Sequence, residues 1–292
     1  NSEGSSFTYS DNSHMILNSN GAFGAFNSTD YTLSCIALAE QDKLMERDYW
    51  YSSTRDFDNL ENADYIGKKA ADRVISRLGA KTLKTRVCPV LFSPEMTSSL
   101  VSSFLSAING PSIYKKSSFL IDKINKKIFP DFVNIVEDPT LSNGSATRPY
   151  DSEGVLTQKK DIIENGILKT YLLDTYAARK LQSKCTGNGV LTNILVSSKE
   201  PVSNLLKTMK DGLYITDMMG SGANLLTGDY SRGAFGYLIK NGEIQYPVTE
   251  ITVASNLSQM FENIISIGDD IDKRNRIRTG SMLIDNITIG GT

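Results

Sequence analysis

The sequence feature that most constrains the fold is a glycine-punctuated segment, Gly222–Gly236, that runs directly into two strand-like runs joined by Asn241-Gly242. A type I′ hairpin turn requires positive φ at both central residues, and asparagine and glycine tolerate this best. We therefore predict a glycine-rich loop, a hairpin and then a helix over Asn256–Ile267. A similar pattern around Asn165-Gly166 predicts a second hairpin, which we expect in the same large sheet as the first.

The first part of the chain predicts a small α+β unit. Three short strand-like runs come first, at Phe7–Tyr9, Met15–Asn18 and Tyr31–Ala39. A helix then begins near Asp58, with Glu61 three residues later as the partner of a capping box. Gly79 stands where the left-handed residue that ends a helix is expected. We interpret residues 1–80 as the remnant of an N-terminal α+β domain.

A second unit is expected at residues 87–292, after a basic linker at residues 81–86. Its first helix has clear signals, because Ser93 can cap it, Pro94 fits its first position and Asn109-Gly110 can stop it. One face of this helix is apolar, and the other carries a row of serines: Ser98, Ser99, Ser102, Ser103 and Ser106. The predicted fold class is α+β, with a C-terminal domain built on a large, mainly antiparallel sheet and a few helices.

The composition gives no indication of a nucleic-acid or membrane partner. Lys+Arg total 31 and Asp+Glu total 33, so the net charge is −2, whereas nucleic-acid binding normally requires a clustered basic surface. No apolar run approaches the roughly 18 residues that a membrane span requires. The three cysteines, Cys35, Cys88 and Cys185, form no CxxC pair. They are typical of reduced thiols, and we expect a cytoplasmic protein.

The residues for self-sufficient hydrolytic chemistry are missing from the sequence. A zinc peptidase site needs three protein ligands, commonly imidazoles, and a carboxylate base. The chain has one histidine, His14, which we interpret as a loop or strand-edge residue, so only a carboxylate-only site stays open. Cys185 has no histidine nearby in the sequence to act as a base and is interpreted as a half-buried side chain. We therefore predict no catalytic and no metal-binding residue in this chain.

A series of short motifs resembles the TldD/PmbA family, classified as peptidase U62 and also called modulators of DNA gyrase. The motifs occur in the family's order along almost the whole chain: Asn1-Ser-Glu-Gly, Arg47-Asp-Tyr-Trp-Tyr, Tyr114-Lys-Lys-Ser-Ser-Phe-Leu, Ile135-Val-Glu-Asp-Pro, Thr175-Tyr-Ala-Ala-Arg-Lys, Thr186-Gly-Asn and Gly228-Asp-Tyr-Ser-Arg-Gly. Within the family the chain resembles the TldE (PmbA) branch. Full-length members carry a further N-terminal region, so we expect an N-terminally incomplete member.

The resemblance implies that two paired subunits have different roles, one of them binding the catalytic zinc. In the TldD branch, the helix that corresponds to the serine-rich one bears a HExxxH zinc motif, and its His, Glu and His places correspond to Val101, Ser102 and Ser106 here. The resemblance therefore implies a zinc ion in a TldD-type partner and no cofactor in this chain. It also implies a cytoplasmic metallopeptidase that acts on unfolded peptides or small proteins. The expected assembly is a heterodimer with the TldD-type subunit, or a homodimer.

Two short segments are our candidates for contact with a substrate or a partner subunit. The first is Asp229, Tyr230, Ser231 and Arg232, and the second contains Thr186 and Asn188. The planar fork of Arg232 suits a carboxylate, but a tight internal corner in which Arg232 is paired to Asp229 or a neighbour is an equal alternative. For the whole chain, the alternative function is a peptide- or protein-binding regulatory module that acts without a peptidase partner.

Overall fold

We describe the protein from a computed structural model, which covers residues 1–198 and 200–292. Within these residues the chain forms three β-sheets and six α-helices. The strands are β1 (Ser2–Leu17), β2 (Phe23–Gln41), β3 (Leu44–Thr54), β4 (Arg86–Phe92), β5 (Ile135–Asp138), β6 (Lys160–Glu164), β7 (Ile167–Leu168), β8 (Asn193–Val196), β9 (Gly212–Met219), β10 (Asp229–Lys240), β11 (Glu243–Asn256), β12 (Ile264–Ile267), β13 (Ile277–Arg278) and β14 (Met282–Gly290). The helices are α1 (Ala63–Arg77), α2 (Pro94–Ala107), α3 (Gly110–Tyr114), α4 (Thr175–Lys180), α5 (Val202–Met209) and α6 (Leu257–Glu262).

The N-terminal sheet consists of three long antiparallel strands in the order β1-β2-β3. β1 joins the first two predicted strands into one, because the polar residues 10–14 between them also take the extended conformation on an exposed sheet. Helix α1 packs Ala70 and Val74 against Ala37 of β2. The predicted strand at Tyr31–Ala39 forms as part of β2, and its Cys35, Ala37 and Ala39 belong to the face that packs against α1.

Helix α1 begins later than the sequence predicts. Its N-cap is Asn62, whose side chain accepts a hydrogen bond from the Asp64 amide at 2.7 Å, whereas Asp58 lies in a separate 3₁₀ turn. Glu61 accepts instead from the indole of Trp50 at 3.3 Å, so the capping-box prediction is wrong. Gly79 has a φ of +72°, as the predicted helix end requires.

The C-terminal part is built on a closed ring of five strands in the order β11-β10-β9-β4-β14, because β11 pairs with β10 on one side and with β14 on the other. Closure leaves fewer free edges for pairing with other chains. Only the β4–β9 pair of this ring is parallel among the described residues, which confirms the prediction of a large, mainly antiparallel sheet. β12 extends the sheet alongside β14.

Helix α2 packs its apolar face into the main core, where Phe104 contacts Phe129 and Phe261 edge to face. Ser93 accepts a hydrogen bond from the Met96 amide at 3.5 Å, which confirms the predicted start. The helix ends at Ala107. Asn109 then caps α3 by accepting from the Ser112 amide at 2.8 Å.

Both predicted Asn-Gly turns form, with positive φ at Asn165, Gly166, Asn241 and Gly242. The two hairpins nevertheless lie in different sheets, since β6 and β7 belong to the sheet β13-β8-β5-β6-β7. The prediction of one shared sheet was wrong because a turn fixes only its own two strands. Non-local pairing decides which sheet they join.

The predicted helix over Asn256–Ile267 is shorter, because α6 ends at Glu262 and the following apolar residues form β12. A short apolar run fits a buried strand as well as a helix. None of the helices in the described ranges has both the length and the apolar character needed to cross a bilayer.

Candidate functional site

A groove separates the N-terminal sheet from α2. It consists of three cavities of about 790, 710 and 250 Å³ that all share Glu95 and Arg274 in their lining. Strand β3 and α1 supply one wall. The start of α2 and the segment 270–277 supply the opposite wall.

Arg274 is the central cation of this groove. Its guanidinium carbon lies 4.0 Å from the centre of the Trp50 ring and 4.5 Å from that of Tyr51. The same group donates hydrogen bonds to Glu95 at 2.9 Å and to Asp272 at 2.8 Å. Burial opposes the charge on Arg274, but the hydrogen bonds and negative charge of Asp272, with a further contribution from Glu95, raise its pKa. Arg274 is therefore a permanent cation whose charge is already balanced.

A second layer of ion pairs connects α1 to both parts of the molecule. Arg73 pairs with Asp48 of β3 at 3.2 Å and with Glu95 of α2 at 3.7 Å. Arg77 reaches Asp48 at 3.4 Å and Asp217 of β9 at 3.3 Å. These pairs, together with Arg274, fix the N-terminal sheet against the five-stranded ring and so set the shape of the groove.

The serine face of α2 extends the groove beyond Glu95. Ser98, Ser99 and Ser102 line the 710 Å³ cavity. Ser99, Ser102, Ser103 and Ser106 line a further cavity of about 400 Å³ that also contains Tyr230 and Arg232. Val101 points the other way and is buried in the core. Of the three places that the resemblance assigns to zinc-motif residues, Ser102 and Ser106 face this cavity.

The four candidate residues of β10 divide between two environments. The Arg232 guanidinium donates to Ser99 Oγ and to the Met218 carbonyl, each at 2.9 Å, and Tyr230 is buried with its hydroxyl 3.1 Å from Met218 Sδ. Asp229 is exposed and accepts from Thr227 at 2.7 Å. Ser231 is also exposed. The internal partners of Arg232 are thus Ser99, Met218 and the neighbouring Tyr230, not Asp229.

Thr186 and Asn188 lie elsewhere, in a buried polar network around Glu137, and neither lines the four cavities. Glu137 is 1% exposed and accepts from Asn188 Nδ2 at 2.8 Å. Lys160 lies 3.1 Å from Glu137 and donates to the Thr186 carbonyl and to Asn188 Oδ1. The structure therefore places these two residues in a network that supports β5 and β6.

His14 lies in β1, at the edge of the N-terminal sheet, as the strand-edge interpretation predicts. Its ring stacks on Phe26 with 4.5 Å between centroids, and Nε2 lies 3.3 Å from Ser28 Oγ. Cys185 Sγ lies 3.4 Å from the Leu173 carbonyl. Neither residue lines the groove.

Sequence reasoning missed the residues at the centre of the groove, namely Trp50, Glu95 and Arg274. Trp50 lies in the Arg47–Tyr51 motif, which contains no pattern typical of a catalytic or binding site. The run of charged residues at 269–276 was the other available signal, because a dense mixture of acids and bases in a loop often indicates an ion-pair network.

The groups on the serine face do not fit a zinc ion. Serine hydroxyls are poor zinc ligands compared with thiolate, imidazole and carboxylate, and the guanidinium of Arg232 repels a cation. In the part of the chain that the structure describes, no three His, Cys, Asp or Glu side chains are grouped so that they could hold a metal.

Comparison with known proteins gives the family. Residues 1–78 match the model of the PmbA/TldA metallopeptidase central domain, and residues 85–291 match that of the C-terminal domain. The chain belongs to the PmbA/TldD metallopeptidase family. It is a member of the PmbA/TldE branch, because its PmbA relatives are similar over the full chain. A PmbA homologue of Haemophilus influenzae named a metalloprotease is 43% identical over 294 residues, covering 100% of this chain and 65% of the relative.

Two further proteins support the same assignment. The metalloprotease PmbA of Escherichia coli O157:H7 is 43% identical over 293 residues, which are 100% of this chain and 65% of that protein. The crystal structure of a candidate modulator of DNA gyrase from Bacteroides thetaiotaomicron superposes with a TM-score of 0.94 at 31% identity, covering 99% of this chain and 66% of that one. The chain thus spans about two thirds of the length of these PmbA/TldD-family proteins.

Replacing Glu95 with glutamine tests the junction around Arg274. Within the described residues, Arg274 then keeps Asp272, and Arg73 keeps Asp48, as the one acidic partner at ion-pair distance. We expect the free energy of unfolding to fall by about 1–3 kcal/mol, because Glu95 is mostly buried and accepts charge-assisted hydrogen bonds. Urea denaturation measures the change. Glu3→Gln is the matched control, since the exposed Glu3–Arg47 pair contributes at most about 1 kcal/mol; equal losses in the two variants would contradict the role of Glu95.

Substitutions of the adjacent Lys159 and Lys160 test whether the network around Thr186 and Asn188 stabilises the fold. Lys160→Met leaves the buried Glu137 carboxylate without its cation, and we expect a loss of about 3 kcal/mol in unfolding free energy. Lys159→Met removes a lysine that is 64% exposed and should cost about 1 kcal/mol or less. Urea unfolding of both variants is the measurement, and similar small effects would argue against the network's structural role.

Proposed function

We propose that this chain is the non-catalytic subunit of a zinc metallopeptidase that cleaves unfolded peptides or small proteins. The catalytic zinc belongs to a TldD-type partner that carries the HExxxH motif, and this chain completes the cavity that receives the substrate. The observation that carries the proposal is the serine face of α2. At the Glu place and the second His place of the motif, this face presents the neutral hydroxyls of Ser102 and Ser106 next to the guanidinium of Arg232, and the first His place is the buried Val101.

The groove is suited to an extended peptide. The helical rise from Glu95 to Ser106 is about 16 Å, which corresponds to roughly five residues of an extended strand. Its lining combines hydroxyl groups with charged side chains, several of them in ion pairs, and Trp50, Tyr65 and Tyr214 supply aromatic groups. Such a lining can hydrogen-bond a peptide backbone without selecting one sequence, as processing of varied unfolded substrates requires.

The N-terminal hairpin supports pairing with another subunit. At its tip, Met15 and Leu17 are each 74% exposed and Phe23 is 73% exposed. Exposed apolar patches of this kind mark protein interaction sites. A TldD-type subunit is the partner that we propose, in the cytoplasm, and a second copy of this chain is the alternative.

Reconstitution tests this proposal. The chain and a TldD-type subunit are purified separately, supplied with zinc and assayed for cleavage of an unstructured fluorogenic peptide. We expect cleavage from the mixture, none from this chain alone, and loss of cleavage on chelation of zinc. The control is a partner in which the glutamate of HExxxH is changed to glutamine, which should be inactive in the same mixture.

Two results would contradict the proposal. Chelator-sensitive cleavage by this chain alone would reverse the assignment of roles. Peptide binding by this chain without any cleavage in the mixture would instead favour the regulatory module. Sedimentation of the mixture against each component distinguishes a heterodimer from a homodimer.

A further inference from the structure

Unlike Arg73 and Arg274 of the groove, Arg232 forms no ion pair within the described residues. Arg148, Arg276 and Arg278 line other parts of the groove and likewise form no ion pair there. Arg73, Arg77 and Arg274 each pair with at least two carboxylates. Over residues 1–198 and 200–292, no carboxylate lies within ion-pair distance of Arg232, and its Nε atom is buried without a hydrogen-bond acceptor. Its guanidinium donates to the neutral Ser99 Oγ and Met218 carbonyl and also interacts with the neutral Tyr230 hydroxyl. A half-buried cation with neutral neighbours is more costly than a paired one.

The cavity around Arg232 contains the remaining groups that an anion needs. Its lining has no charged residue other than Arg232. Ser102 and Ser106 line it, and neither hydroxyl takes part in the side-chain hydrogen bonds of the described ranges. Hydroxyl donors next to a planar guanidinium fork match the geometry of a carboxylate, which can accept two parallel hydrogen bonds.

The far wall of this cavity is fixed by the segment 220–225. The Gly222 carbonyl accepts from the Ser231 amide at 2.9 Å, and the Leu225 carbonyl accepts from the Phe119 amide at 2.8 Å. Gly222 packs so closely against the backbone of β10 that there is no room for a Cβ. The other side of the cavity shares Ser99 and Ser102 with the groove that leads to Glu95 and Arg274. The cavity is therefore an end of the groove.

We propose that this cavity binds the C-terminal carboxylate of a peptide that lies along the serine face of α2, with Arg232 as the carboxylate-binding residue. Ser102 and Ser106 donate further hydrogen bonds to the carboxylate or to the last peptide unit. The inference rests on the proposed function in one respect, namely that the ligand of the groove is a peptide. It assigns a direction to that peptide, because the C-terminus lies at Arg232 and the chain extends toward Arg274.

Fluorescence anisotropy with matched peptides tests the proposal on the 292-residue chain. Three peptides with the same N-terminal fluorescein and the same neutral sequence are compared: a free acid, its C-terminal amide, and an amide whose last residue is glutamate. We expect the free acid to bind about 10- to 100-fold more tightly than the neutral amide, as charge-assisted hydrogen bonds predict. The glutamate amide distinguishes a side-chain carboxylate from a terminal one and should bind at least about tenfold more weakly than the acid.

Arg232→Gln should reduce the affinity for the acid to that for the neutral amide. Arg86→Gln, an exposed arginine away from the groove, is the control and should leave the acid preference intact. Because Arg232 also contacts Ser99 and Met218, a second pair of variants avoids changing it. Ser102→Asp places a competing carboxylate in the cavity and should abolish the preference for the acid, whereas Ser102→Asn, of similar size but neutral, should retain a preference. Circular dichroism verifies that each variant is folded.

The outcomes separate this inference from the proposed function. Equal affinity for the acid and the neutral amide, no detectable binding of either, or an acid preference that survives in folded Arg232→Gln would each overturn the carboxylate site. Equal affinity for the acid and the glutamate amide would overturn the terminal assignment. Zinc-dependent cleavage by the reconstituted pair decides the proposed function independently, because it requires no preference for a free C-terminus.

Discussion

The groove depends on one interaction, the contact of the Arg274 guanidinium with Glu95, Asp272 and the rings of Trp50 and Tyr51. Trp50 and Tyr51 belong to the N-terminal sheet, Glu95 to the first turn of α2, and Asp272 to the segment between β12 and β13. One side chain thereby joins three regions that are far apart in the sequence. Both walls of the groove contact Arg274. The ion pairs and ring contacts of Arg274 therefore set the distance between the two walls.

Within the described residues, some arginines in and around the groove pair with carboxylates, and others, among them Arg232, Arg148 and Arg278, form no ion pair. Arg73, Arg77 and Arg274 are paired with carboxylates and hold the architecture together. Arg232 has only neutral partners and stands on the serine face of α2. A fixed cation there is incompatible with a metal ion and compatible with an anionic group of a ligand. We propose that this helix, whose counterpart we expect to hold zinc in TldD-type relatives, contacts substrate in this chain.

Local signals in the sequence predicted the elements that depend on local contacts. The Asn165-Gly166 and Asn241-Gly242 turns, the Ser93 cap of α2 and the left-handed Gly79 all formed, because each is decided by a few neighbouring residues. The family resemblance predicted the overall fold. The groove could not be predicted, since Arg274 and Glu95 are 179 positions apart and nothing local indicates that they meet. The separation of the two hairpins into different sheets has the same cause, as does the strand at Ile264–Ile267, which pairs with β14 instead of continuing the helix.

The most direct test of the central claim, that this chain supplies a substrate groove and not the metal, is the zinc content of the isolated chain. The purified chain is incubated with zinc, freed of loosely held metal by gel filtration and analysed by elemental mass spectrometry, alongside a TldD-type subunit treated in the same way. Our account predicts far less than one zinc per chain for this protein and close to one for the TldD-type subunit. One tightly held zinc ion per molecule of this chain would contradict the account.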